Sequence, residues 1–145
     1  MTKTAHTSYA PAGHHTVTPY VIVSDARAAI EFYGRAFGAV QTQLTTDETG
    51  KVRHAEVRIG DSPVMLAETF EFRGVSAANP AAMDGRTSMH IYLYVPDVDA
   101  LFAQAIAAGA REVMPVADQV YGDRSGGVVD PFGHVWWMAT HIGAR

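Results

Sequence analysis

The sequence predicts a single α+β domain made of two tandem β-α-β-β-β modules that form a curved mixed sheet around a cavity. Three observations lead there. Two helical stripes lie 72 residues apart. Strand-like runs precede and follow each helix in the same order. The spacing is too long for a solenoid repeat and fits duplication of a half-domain, since one half could not cover its own sheet. A chain of 145 residues, almost half of them apolar, is the size of one domain and can bury a full core without staples.

Residues 1–14 read as a flexible N-terminal tail, and the domain is expected over residues 15–142. The tail lacks the apolar run of a signal peptide, and no stretch approaches a membrane span, so a cytoplasmic location is the default expectation. Module one covers about 15–70. It opens with the strand-like "TVTPYVIV", Thr16 to Val23. In "SDARAAIEFYGRAFGA", Ala26, Ala29, Ile30, Tyr33 and Phe37 recur at helical spacing, with Ser24 or Asp25 as cap and Gly38 as stop. Three strand-like runs follow, "VQTQLTT", "VRHAEVRI" and "PVMLAE", parted by the turn signals "DETGK" and "GDSP". Residues 71–87 read as a linker with its own loop.

Module two covers about 88–142. Its first strand is "SMHIYLYV", Ser88 to Val95. The following helix carries the stripe Val98, Leu101, Phe102, Ala105, Ile106 and Gly109, with Asp97 as cap. Then come "EVMPV", "QVYGDRSGGVV" and "HVWWMAT", with turns expected at Pro115 to Asp118 and at "DPFG". Placing Asp25 on Asp97 also superposes Val23 on Val95 and Tyr20 on Tyr92. Alternation sorts the first strand of module two. Met89, Ile91, Leu93 and Val95 share an apolar face that must pack on helices, while His90, Tyr92 and Tyr94 share the other. Thr18 and Tyr20 hold the matching positions in module one.

Composition removes several functions. With no cysteine there is no thiol nucleophile, disulfide or Cys-based metal centre. No basic stripe accompanies the net charge of −4, so nucleic acid is not an expected partner.

The paired modules, the helix "D…AIEFYGRAFGA", the run "HIYLYVPDVD" and the turn "DPFGH" together resemble the vicinal oxygen chelate superfamily. That group holds glyoxalase I, bleomycin-resistance proteins, fosfomycin-modifying enzymes and extradiol dioxygenases. The likeness runs from about His15 to His141, and "YGDRSG", Tyr121 to Gly126, suggests a glyoxalase-like bacterial branch. Metal-dependent members place four ligands on the cavity face. The resemblance puts those positions at Thr18, Glu68, His90 and Trp137. Two of the four residue types suit a metal. Neutral threonine is a poor ligand, and an indole is a donor with no lone pair to offer. Glu68 and His90 alone would hold a metal weakly unless His54, His134 or His141 completes the shell, and alternation turns His134 away from Trp137.

The resemblance therefore implies a small-molecule ligand, a homodimer whose modules complete the pockets, and no cofactor, with a divalent metal at Glu68 and His90 as the alternative. Three functional readings stand side by side. In the first, a bleomycin-resistance-type protein binds an aromatic or hydrophobic compound using Thr18, Tyr20, Tyr92, Tyr94, Tyr121, Arg124 and Trp137. In the second, His90 acts as a general base oriented by Glu68 in a metal-independent isomerase, lyase or hydrolase. In the third, a metal-dependent lyase or dioxygenase uses an unusual ligand set. Arg124 suits an anionic group, but it could equally pair with Asp123 on the surface.

Overall fold

The computed structural model describes residues 9–143. Module one contains β1 (Tyr20–Val23), α1 (Ala26–Phe37), β2 (Val40–Thr46), β3 (Val52–Ile59) and β4 (Ser62–Glu68). The linker is partly ordered. It forms a ribbon of β5 (Phe70–Phe72) and β6 (Val75–Ala77) and one 3₁₀ turn, Pro80–Met83. Module two contains β7 (Ile91–Tyr94), α2 (Val98–Ala108), β8 (Arg111–Asp118), β9 (Asp123–Val129) and β10 (Val135–His141).

Each module folds its own four-stranded mixed sheet, ordered β1-β4-β3-β2 and β7-β10-β9-β8. The first strand pairs in parallel with the last of its module, and the other pairings are antiparallel. The predicted curved sheet is thus divided into two halves, with β1 and β7 at one edge of each.

Both helices start and stop where the sequence places them, for local reasons. The Asp25 carboxylate accepts from the Ala28 N–H and the Asp97 carboxylate from the Ala100 N–H, each at 3.1 Å. Gly38 (φ 72°) and Gly109 (φ 118°) take the left-handed conformation that ends each helix at little cost. The first strands are shorter than the apolar pattern suggests. Pro19, having no N–H, closes off the start of β1, and His90 lies just before β7. The turn expected at Pro115 to Asp118 is instead the end of β8. Pro115 is tolerated there because β8 is an edge strand whose register shifts twice against β9. The true turn lies at residues 119–122, where Gly122 has φ 97°.

The helices pack on their own sheets and on each other, so one core serves both modules. At its centre the Trp136 ring lies 4.6 Å from Phe37 and 5.0 Å from Tyr33, centroid to centroid. Asp130 ties this cluster together from the "DPFG" turn. It is buried and accepts four hydrogen bonds: from the Phe132 N–H at 2.8 Å, the His134 N–H at 3.0 Å, the Trp136 indole at 2.9 Å and the Tyr33 hydroxyl. A Cβ on Gly133 would stand 2.6 Å from that of Pro80, so this turn admits no larger residue without moving the linker. The sheet faces turned away from the helices remain open, and they carry the candidate site.

Candidate functional site

Strand register decides which residues meet on the open face of module two. Trp137 pairs with Tyr92 on one side and Gly127 on the other, and Ala139 pairs with Tyr94 and Ser125. His141 pairs with Asp123. Alternation sends all of these away from the helices, while Trp136, Met138, Ile91 and Leu93 enter the core. The adjacent tryptophans therefore part ways: Trp136 is fully buried, and Trp137 lies half-buried on the open face.

Trp137 lies flat because Gly127 lets it. A Cβ at Gly127 would come within 2.5 Å of the indole. In this position the indole N–H donates to Nδ1 of His90 at 3.0 Å. An indole N–H can only donate, so His90 Nδ1 must be the acceptor, and the proton of the neutral imidazole sits on Nε2. His90 then offers an N–H outward, with its Nδ1 lone pair already engaged.

Below this pair lies a second cluster. Asp123 is only 3% exposed, yet three side chains reach its carboxylate. The Tyr92 and Tyr94 hydroxyls donate to Oδ2 at 2.7 and 2.9 Å, and His141 donates from Nδ1 to Oδ1 at 3.0 Å. The hydrogen bond from His141, then that from Tyr92, holds the Asp123 carboxyl below the usual aspartate range despite burial. Burial and then the bond to Asp123 push the Tyr92 phenol upward, and the bond to Asp123 does the same for Tyr94. Both phenols therefore remain protonated donors near neutral pH. Their rings sit 5.2 Å apart and are 41% and 66% exposed. Tyr121 joins the rim, its hydroxyl 3.3 Å from Ser125 Oγ. A cleft of about 790 Å³ beside β7 is lined by Tyr92, Tyr94 and Leu101 together with Phe37, Gly60 and Asp61 of module one, and it meets the open-face site at the two tyrosines, without Trp137 or Asp123 in its lining. That volume suits a drug-sized molecule.

Other predicted site residues lie elsewhere. Arg124 points to the helix side, where its guanidinium bonds both Asp99 oxygens at 2.8 and 2.9 Å and Asp118 at 3.0 Å. These bonds raise its pKa further and leave it turned away from the tyrosines, and Asp123 is not its partner. Glu68 accepts from the Val52 N–H at 2.9 Å and lines a hollow of about 170 Å³ with Tyr20, Lys51 and Phe70. The Glu68 carboxylate thus bonds Val52, while the His90 ring bonds Trp137. Thr18 lies just before β1 and is half-buried. His134 donates from Nε2 to the Ile22 carbonyl at 2.6 Å, a link between modules. Among the described residues, no three of His, Asp and Glu converge as a metal ion requires.

Two groups escaped the sequence reading. Asp123 is the hub of the open face, and Glu56 is its counterpart in module one. Glu56 is buried and accepts from His14 Nε2 at 2.7 Å and from the Thr42 hydroxyl at 2.9 Å. Burial pushes its pKa up, but these bonds outweigh burial and hold it low; the bond to Glu56 raises His14 in turn. His14 falls in the stretch expected to be a free tail. Residues 1–8 of that tail lie outside the described residues.

The sequence profile of the Glyoxalase/Bleomycin resistance protein/Dioxygenase superfamily matches residues 13–138. The chain belongs to this superfamily. A Mycobacterium bovis protein is 42% identical over 127 residues, 87% of this chain and 83% of that protein. Among solved structures, TioX from Micromonospora sp. ML1 is similar at a TM-score of 0.70 and 31% identity, over 88% of this chain and 98% of TioX. The fosfomycin resistance protein FosX of Listeria monocytogenes, solved with Mn(II) and sulfate, shares the fold at a TM-score of 0.63 and 17% identity, over 88% of this chain and 90% of FosX.

Proposed function

We propose that this superfamily member binds a flat, apolar or aromatic small molecule against Tyr92, Tyr94 and Trp137, and that the site works without a metal. The bond from Trp137 to His90 carries this reading. A metal needs lone pairs, and at two of the four family positions it meets a donor-only indole and an imidazole whose Nδ1 is occupied. Thr18 adds no strong ligand, which leaves the Glu68 carboxylate, with one bond from Val52, as the one strong metal donor of the four. The same contacts that weaken a metal site build a wall. Aromatic rings offer large area and stacking at low entropic cost, which suits planar ligands.

We further infer that two copies complete the pocket. Support comes from the divided sheet, with β1 and β7 at an edge of each half, and from exposed apolar groups such as Val40 on β2 and Met89 just before β7, which the apolar pattern places against the helices. No helix is long and apolar enough to cross a membrane.

The test pairs metal analysis with ligand binding. Protein purified without a nickel column is expected to hold no stoichiometric Zn²⁺, Ni²⁺, Mn²⁺ or Fe²⁺ and to show no melting shift on adding them. Aromatic compounds that raise the melting temperature should lose about three- to tenfold in affinity in Trp137→Ala, the range for one lost ring contact. One metal ion per chain, released in His90→Ala, would overturn the reading.

A further inference from the structure

The open face of module two carries a carboxylate, Asp123, as well as aromatic rings. Residues 88–143 hold two arginines, Arg111 and Arg124, against Asp97, Asp99, Glu112, Asp118, Asp123 and Asp130. Asp97 and Asp99 belong to the start of α2, Asp118 pairs with Arg124 and Asp130 lies in the core, so Asp123 is the acid that the exposed tyrosines reach. Neither arginine serves the face near Asp123. Arg124 is on the helix side, held by Asp99 and Asp118. Arg111 pairs with Val129, six residues along β9 from Asp123 and so roughly 20 Å away at strand rise.

We infer that this face takes an organic cation, a protonated amine carried on an aromatic or apolar body, seated on Tyr92, Tyr94 and Tyr121 over the Asp123 carboxylate. This rests on the binding reading above and names its ligand class. The hydrogen-bond inventory points one way. Tyr92 and Tyr94 spend their only protons on Asp123, so each phenol oxygen can act further only as an acceptor, and Tyr121 already approaches that of Tyr92. Asp123 accepts three bonds and, with about four lone-pair sites, keeps capacity for one more. An N–H donor finds these acceptors together, whereas the donors an anion would meet, the His90 Nε2–H and the Tyr121 hydroxyl, lie apart from the Asp123 carboxylate and beside phenols already turned to it. The tyrosine faces add attraction for a cation through their quadrupoles, and the buried carboxylate beneath them reinforces its sign. His141 is the imidazole beside this carboxylate, and it bonds Oδ1, leaving the Oδ2 side to the tyrosines.

The experiment compares three probes of one shape in the full-length protein at pH 7.5: 2-naphthylmethylamine, protonated; 2-naphthalenemethanol, neutral; and 2-naphthoate, anionic. Binding is followed by amide and indole NMR shifts. The amine is expected to bind about tenfold tighter than the alcohol, within the range of a cation–π contact, and the anion weakest. Shifts should centre on Tyr92, Tyr94 and Asp123. Asp123→Asn, which keeps an oxygen for the tyrosines, should bring the amine to within about threefold of the alcohol. Should that variant fold poorly, Tyr94→Leu at an exposed position should give the same narrowing. Equal binding of all three probes at this face would overturn the cation assignment and leave the aromatic-binding reading standing. Binding of none of them, or shifts confined to module one, would overturn both.

Discussion

Two buried aspartates on the β9–β10 ribbon do the same chemistry for different ends. Asp130 and Asp123 are 4% and 3% exposed; Asp130 gathers one tyrosine hydroxyl and an indole N–H besides two backbone N–H groups, and Asp123 two tyrosine hydroxyls and an imidazole. The tyrosine on Asp130 is wholly buried in the core, whereas those on Asp123 show 41% and 66% of their surface to solvent. Asp130 thus joins helix, turn and strand. Asp123 instead fixes two rings that remain largely at the surface. An internal network satisfies polar groups the fold cannot otherwise solvate. The Asp123 network satisfies its buried carboxylate too, but it does so with rings that also face solvent, where a ligand can reach them.

The sharpest way to break this contrast is Asp130→Ala. It leaves the Tyr33 hydroxyl and the Trp136 indole without their acceptor at about 1–3 kcal/mol each, so we expect a loss of about 3–5 kcal/mol in denaturant unfolding. A loss below 1 kcal/mol would remove the distinction. Gly127→Ala comes next. Its Cβ would stand 2.5 Å from the Trp137 ring, which must lift, at about 1–3 kcal/mol for such overpacking. The Trp137 indole resonance should then lose the shift due to its bond with His90. An unchanged resonance would mean that Gly127 is not what seats the ring.

In module one, His14→Ala tests whether the segment before β1 is fastened by charge. His14 is raised from its ordinary 6.5, so its contribution is fully present below that pH and is lost as pH rises through the folded value. Glu56 is lowered from 4.5, so its contribution is present above that pH and lost as pH falls through the folded value. The melting difference between wild type and His14→Ala should therefore be widest between pH 4.5 and 6.5 and shrink on either side. A difference independent of pH would refute the ion pair. The smallest expected effect is Asp123→Asn at neutral pH, because exposed phenols can bond water instead. Its signature lies in acid. Asp123 is lowered from 3.8, so wild type should hold an advantage above that pH which fades as pH falls further.

Much of the fold was legible because its signals are local. Asp25, Gly38, Asp97 and Gly109 act within one turn of the chain, and alternation separated Trp136 from Trp137 correctly. The site was harder to read. "YGDRSG" read as one irregular strand hides the turn at Gly122, and with it the parity that puts Asp123 on the tyrosine face and Arg124 on the helix face. Glu68 followed the family pattern to a position whose carboxylate in this chain serves the Val52 N–H. His14 and Glu56 are 42 residues apart, a pairing no periodicity announces.

The central claim is that Trp137 and His90 form a wall and not half of a metal site. The most direct measurement is the Trp137 indole ¹⁵N–¹H resonance, followed through titration with Zn²⁺ and, separately, with an aromatic ligand identified by thermal shift. We expect the resonance to move saturably with the aromatic ligand and to ignore zinc up to several equivalents. A saturable one-to-one shift with zinc, accompanied by loss of the bond to His90, would contradict the account.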